Sequence, residues 1–181
     1  MTEENKQKYE KGFFRNNFFQ EGITTLLIFA VYLERREMVE IILKRMDQMD
    51  KKVSDGGGSA INYAIRNKDI EMAMILLRHN AVELNDVRQD TWESGLIELV
   101  KRNDLGMYEL LRTHINDIDE QDSKGYTALM IACMKGNVEM VRKLLFDCAR
   151  TSYCCNKGKT ALDYARVGGN KQIIKMIEES M

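Results

Sequence analysis

Proline is absent from all 181 residues, tryptophan occurs once and histidine only twice. Without proline, no helix of this chain can open on the rigid N1 residue that often starts one. The two histidines, His79 and His114, stand 35 residues apart at matching points of a repeating pattern, where a helix C-terminal cation is the expected role. No Ser/His/Asp or Cys/His arrangement can be assembled without borrowing from distant segments, so no catalytic residue is assigned and the chain is read as a non-enzyme. The cysteines, Cys133, Cys148, Cys154 and Cys155, lack the paired spacing of a zinc site. They read as free thiols of a reducing compartment, with no metal and no cofactor. No apolar run approaches the roughly 20 residues of a membrane span, and the stretch from Ile23 to Leu33 is too short and too far from the start for a signal peptide. A cytoplasmic or nuclear location follows. A formal net charge of −1 argues against binding nucleic acid through overall charge. Gly56, Gly57 and Gly58 are followed by Ser59 and Ala60 with no lysine, so they form a turn and not a phosphate loop.

What the chain does have is 44% hydrophobic and 30% charged residues, the composition of one globular domain with a continuous core. The stretch from Asp122 to Leu145 shows how that core is built. Thr127 is a good N-cap, and Ala128, Leu129 and Ala132 share a helical face until Gly136 and Asn137 interrupt it. Val138, Val141, Leu144 and Leu145 then follow the spacing of a second amphipathic helix. The unit recurs. Thr25, Ser59, Ser94, Thr127 and Thr160 stand at steps of 34, 35, 33 and 33 residues. Leu27, Ile61, Leu96, Leu129 and Leu162 follow two positions later, then Ala30, Ala64, Leu99, Ala132 and Ala165. Met38, Met72, Met107, Met140 and Ile173 mark the second helix, and the methionine column is expected to be core.

The period and the Gly-x-Thr-x-Leu-x-x-Ala motif resemble the ankyrin repeat, a family with units of about 33 residues and Thr-Pro-Leu-His-x-Ala at the head of the first helix. The resemblance implies an all-α solenoid of five helix-turn-helix repeats with β-turn fingers, at about 20–53, 54–88, 89–121, 122–154 and 155–181. Leu26, Ala60, Gly95, Ala128 and Ala161 replace the family's proline. Ile28, Asn62, Ile97, Met130 and Asp163 replace its histidine, which predicts the loss of a side-chain hydrogen bond in each repeat. Residues 1–19 read as an N-terminal capping helix whose Phe13, Phe14, Phe18 and Phe19 cover the open edge of repeat one. Ile177 and Glu178 in place of a Leu-Leu pair read as the opposite cap, with the fold expected to be complete at Met181. Arg112, also at a leucine position, is expected to snorkel from a partly open edge.

In proteins of this family, partners dock on the concave side made by the fingers and the exposed ends of the first helices. Carried over by position, the partner-binding residues are Tyr32, Arg66, Asn67, Trp92, Glu93, Lys101, Arg102, Lys124, Tyr126, Met134, Lys135, Lys157 and Lys159. Trp92 reads equally as a packing residue between fingers or as a binding anchor. The basic residues among them suit a protein with an acidic face, bound by a monomeric adaptor, scaffold or inhibitor with no small-molecule substrate. A basic ridge that binds nucleic acid or phosphoinositide is the alternative.

Overall fold

A computed structural model describes residues 22–46, 60–79 and 95–181. Ten α-helices fall within them and pair in order. Repeat one holds α1 (Gly22–Tyr32) and α2 (Arg36–Met46), and repeat two α3 (Ala60–Asn67) and α4 (Ile70–Arg78). Repeat three holds α5 (Gly95–Arg102) and α6 (Leu105–Leu111), the latter followed by a 3-10 turn at Arg112–His114. Repeats four and five hold α7 (Ala128–Lys135), α8 (Val138–Phe146), α9 (Ala161–Gly168) and α10 (Lys171–Glu179). The fold is the all-α ankyrin solenoid. Phe13, Phe14, Phe18 and Phe19, the Gly56–Gly58 turn, and Trp92 with Glu93 lie outside the described residues.

Each pair is broken at the same point by one left-handed residue. Glu34, Lys68 and Asn103 have φ of 56°, 56° and 52°, and Gly136 and Gly169 both have 69°. In the first four repeats the next amide then closes back on the carbonyl five residues earlier, Arg35 to Ala30 at 2.9 Å, Asp69 to Ala64 at 3.0 Å, Asp104 to Leu99 at 3.2 Å and Asn137 to Ala132 at 3.1 Å. This satisfies carbonyls that the helix end would leave open. The second helix starts at once: Asp69 and Asp104 each accept an amide of the first turn, from Met72 and Met107, at 3.0 Å.

The first helices start on threonine where the structure describes the cap. Thr127 Oγ1 accepts the Met130 amide at 3.3 Å. In repeat five the expected loss of a hydrogen bond does not occur. Asp163, at the histidine position, accepts the Thr160 amide at 2.8 Å and its hydroxyl at 2.9 Å, while the Asp163 amide donates to Thr160 Oγ1 at 3.3 Å. This reciprocal box holds the Asp163 carboxyl below its ordinary range, with the Thr160 amide the largest cause. At the same position Ile28, Ile97 and Met130 are buried, so there apolar burial stands where the family has a polar contact.

The first helices α1, α3, α5, α7 and α9 stack in sequence, and the second helices pack behind them. Ala30, Ala64, Leu99, Ala132 and Ala165 are all buried in that inner layer, which lets the helices approach closely. The core divides into two clusters. Repeats one and two with Leu99, Met107 and Leu111 form the first; Leu96, Ile97, Val100 and Tyr108 with repeats four and five form the second.

One column departs from its expected place. Met72, Met107, Met140 and Ile173 are buried, but Met38 is 48% exposed. Leu26 is also 47% exposed, although Ala60, Ala128 and Ala161 at its position are buried. These positions pack against an adjacent repeat, and repeat one has none on that side among the described residues.

Arg112 does reach outward, half-buried, but to a partner within the chain. Its guanidinium pairs with Asp147 of repeat four and lies 5.7 Å from the Phe146 ring centroid. The buried Tyr108 donates its hydroxyl to the other oxygen of Asp147 at 2.7 Å. Burial, then Asp147, raises the Tyr108 phenol well above its ordinary range, so it stays a donor. Repeats one and two are tied in a similar way: Arg36 donates to both oxygens of Asp69 at 3.0 Å. His79 caps the C-terminus of α4 and His114 ends the 3-10 turn, the places expected of them.

Candidate functional site

The finger before α7 is built on Asp122 and Gly125, and the one before α9 on Cys155 and Gly158, whose amide donates to the Cys155 carbonyl at 2.8 Å. Asp122 Oδ1 accepts the amides of Lys124 and Tyr126, both at 2.9 Å, and the Gly125 amide donates to the Asp122 carbonyl at 2.8 Å. An isolated antiparallel bridge joins Gln121 and Thr127 at the base. Gly125 has φ of 75°, and a Cβ there would meet Asn156 Oδ1 at 2.5 Å and the Asn156 amide nitrogen at 2.8 Å. The next finger uses that space: Asn156 donates from its amide to the Lys124 carbonyl at 3.1 Å and from Nδ2 to the Ser123 carbonyl at 3.1 Å. Gln121 Nε2 ties the same two fingers by donating to the Gly125 carbonyl at 2.6 Å and the Cys154 carbonyl at 3.0 Å.

The finger before α7, the end of α5 and the last turns of α7 line a cleft of about 600 Å³. Five of the residues assigned from sequence line it together: Lys101 from α5, Lys124 and Tyr126 from the finger, and Met134 and Lys135 from the last turn of α7. Ile131 and Asp122 also line it and were not assigned. Ile131 stands three and four residues before Met134 and Lys135, the helical spacing that puts all three on one face. The Tyr126 ring is held edge-on to Tyr164 with centroids 5.6 Å apart. Tyr164 donates to the Tyr126 hydroxyl at 3.4 Å and stands 3.2 Å from Cys155 Sγ. That contact lowers the Cys155 thiol below its ordinary value.

The other assigned residues that the structure describes lie elsewhere. Tyr32 meets Tyr63 edge-on at 6.1 Å, and the Arg66 guanidinium lies 6.0 Å from the Tyr63 centroid. Asn67 donates to Glu34 Oε1 at 3.3 Å. Arg102 pairs with Glu98 on its own helix at 2.5 Å, which offsets part of the basic charge expected there. Lys157 and Lys159 are exposed on the last finger. All four cysteines are free thiols, Cys133 and Cys155 buried, Cys148 and Cys154 exposed. Among the described residues no helix is long and apolar enough to cross a membrane.

Paired helices, left-handed breaks and finger turns at this period define a repeat-stacking interaction fold, and the comparison with family models agrees. Residues 96–180 match the model of ankyrin repeats in three copies, and the chain belongs to the ankyrin-repeat family. It is similar to Protein glp-1 of Caenorhabditis elegans, 31% identical over 133 residues, which is 66% of this chain and 10% of that protein. It is also similar to Regulatory protein NPR1 of Arabidopsis thaliana, 25% identical over 132 residues, or 72% of this chain and 21% of that protein. The chain thus spans only a minor part of the length of either relative. Ankyrin repeats generally mediate protein–protein interaction and are non-catalytic.

Proposed function

We propose that this chain is a non-enzymatic protein-binding module, an adaptor, scaffold or inhibitor, that docks its partner on the face made by the fingers and the ends of the first helices. The observation that carries the reading is the cleft, because it gathers Lys101, Lys124, Tyr126, Met134 and Lys135 from two successive repeats around one cavity. Basic side chains over apolar ones suit a protein with an acidic face, met by a monomer in the cytoplasm or nucleus. Nucleic-acid binding is the weaker reading, because the Arg102–Glu98 pair leaves less uncompensated charge along the ridge.

The test is partner capture from native lysate. Alanine at Arg66, Lys101, Arg102 and Lys135 should abolish capture while circular dichroism and melting temperature hold. Alanine at Arg78, Arg142, Lys143 and Lys175, on the second helices, should leave capture nearly intact. Loss in the second variant with retention in the first would assign the wrong face, and capture that falls steeply with salt without preference among sequences would point to nucleic acid.

A further inference from the structure

We infer that the cleft between repeats three and four takes an extended acidic segment of a partner protein, in which carboxylates alternate with bulky apolar side chains, one of them seated on Met134. The inference rests on the protein-binding reading and names the chemistry of its ligand.

Three lysines reach the cleft from three separate segments, Lys101 from α5, Lys124 from the finger and Lys135 from α7. The lining includes one carboxylate, Asp122, and one oxygen of it already holds two finger amides at 2.9 Å. The cleft is therefore net basic, and its charges surround an apolar strip. Ile131 is buried, and Met134 is 39% exposed, an adaptable side chain suited to irregular apolar partners. Tyr126 forms the wall beside it, braced by Tyr164. A wholly polar acidic ligand would leave that strip in contact with water, and a wholly apolar one would desolvate the lysines without a counter-charge.

The row that contains Met134 gives the segment its direction. Arg66, Lys101, Met134 and Val167 occupy one position in repeats two to five, and Val167 is 78% exposed. That row turns from basic to apolar along the stack, while the finger row beside it carries Lys124, Lys157 and Lys159. An extended chain points successive side chains to opposite sides. Alternation of apolar and acidic residues thus sets one series on Met134 and Val167 and the other against the finger lysines.

The probe is a fluorescein-labelled synthetic dodecapeptide alternating glutamate with leucine or phenylalanine, read by fluorescence polarisation and by amide shifts of the isotopically labelled chain. Two control peptides replace the glutamates by glutamine or the apolar residues by serine. We expect the alternating peptide to bind at least tenfold tighter than either control, with shifts centred on residues 122–126 and 131–135. Lys101→Glu, Lys135→Glu and Met134→Ser should each weaken it several-fold with the far-ultraviolet spectrum unchanged, and Arg142→Glu should not. Equal binding of the serine control would reduce the cleft to a nonspecific basic surface and overturn the inference. So would shifts elsewhere, or no binding at millimolar peptide. If lysate capture still depends on the finger face in those cases, the protein-binding reading stands and only the ligand chemistry is lost.

Discussion

Lys68→Gly should stabilise this protein. Lys68 holds φ of 56° at the point where repeats four and five carry Gly136 and Gly169, and its backbone makes the same closure, with the Asp69 amide on the Ala64 carbonyl at 3.0 Å. A side chain in the left-handed region costs about 1–2 kcal/mol relative to the right-handed one. Glycine removes that strain but adds about 0.5–1 kcal/mol of unfolded-chain entropy. The net gain is about 0.5–1 kcal/mol for Lys68→Gly. It should be smaller at Asn103, because asparagine visits this region more readily. At Glu34 it is also smaller, because the contact from Asn67 at 3.3 Å is lost. The reverse change, Gly136→Ala, should cost about 1 kcal/mol, all of it backbone strain, because nothing lies within 4 Å of a Cβ there. Urea unfolding at constant slope measures each, and for a chain of this size 1 kcal/mol moves the melting temperature by about 2–4 °C. Lys68→Ala is the control, since alanine keeps the strained geometry. A gain from alanine equal to that from glycine, or no gain from glycine, would refute the strain argument.

Gly125→Ala should be far worse than Gly136→Ala, by about 2–3 kcal/mol beyond the backbone term, because its Cβ would stand 2.5 Å from Asn156 Oδ1; equal melting temperatures for the two variants would refute the close packing of the fingers. Tyr108→Phe should cost about 1.5 kcal/mol by removing a donor to a carboxylate, and a cycle with Asp147→Asn should show coupling, whereas strict additivity would dissolve the proposed bridge between repeats three and four. Native thiol titration should modify the exposed Cys148 and Cys154 first and Cys133 last, whose thiol burial pushes up to about 12; mass spectrometry after denaturation should find all four alkylated, and an intramolecular disulfide would contradict this. Deleting residues 2–19 removes the four phenylalanines assigned to the open edge beside Leu26 and Met38, and at roughly 1.5–3 kcal/mol per buried phenylalanine should lower the melting temperature sharply; an unchanged monomeric melt would discard the cap.

The helices were legible in the sequence because threonine caps, small inner residues and the i, i+3, i+4 spacing are local signals. Met38 was not, because its register fixes which way a side chain points and not whether a neighbour covers it. The left-handed breaks at Glu34, Lys68 and Asn103 were hidden by residues that rarely occupy them, and the closure follows from the stacking of the helices on both sides. Asp163 showed only as a departure from the family's histidine, although its spacing from Thr160 is that of a capping box. In the cleft, Lys124, Lys135 and Met134 followed from repeat position. The tie from Arg112 to Asp147 joins residues 35 apart, one repeat's distance, a pairing visible only once side-chain reach is known.

The division of the core at repeat three has a consequence for how the chain opens. Leu99 and Met107 belong to one cluster and Ile97 and Tyr108 to the other, so α5 and α6 serve as a party wall between two cooperative units. In a linear stack each unit depends only on its neighbours, and local opening follows such boundaries. The amino-terminal unit can therefore fray and re-form while the wall and the carboxy-terminal unit remain folded. Every residue lining the cleft, from Lys101 to Lys135, lies on the wall or beyond it, so the proposed binding surface does not depend on contacts made within the first two repeats.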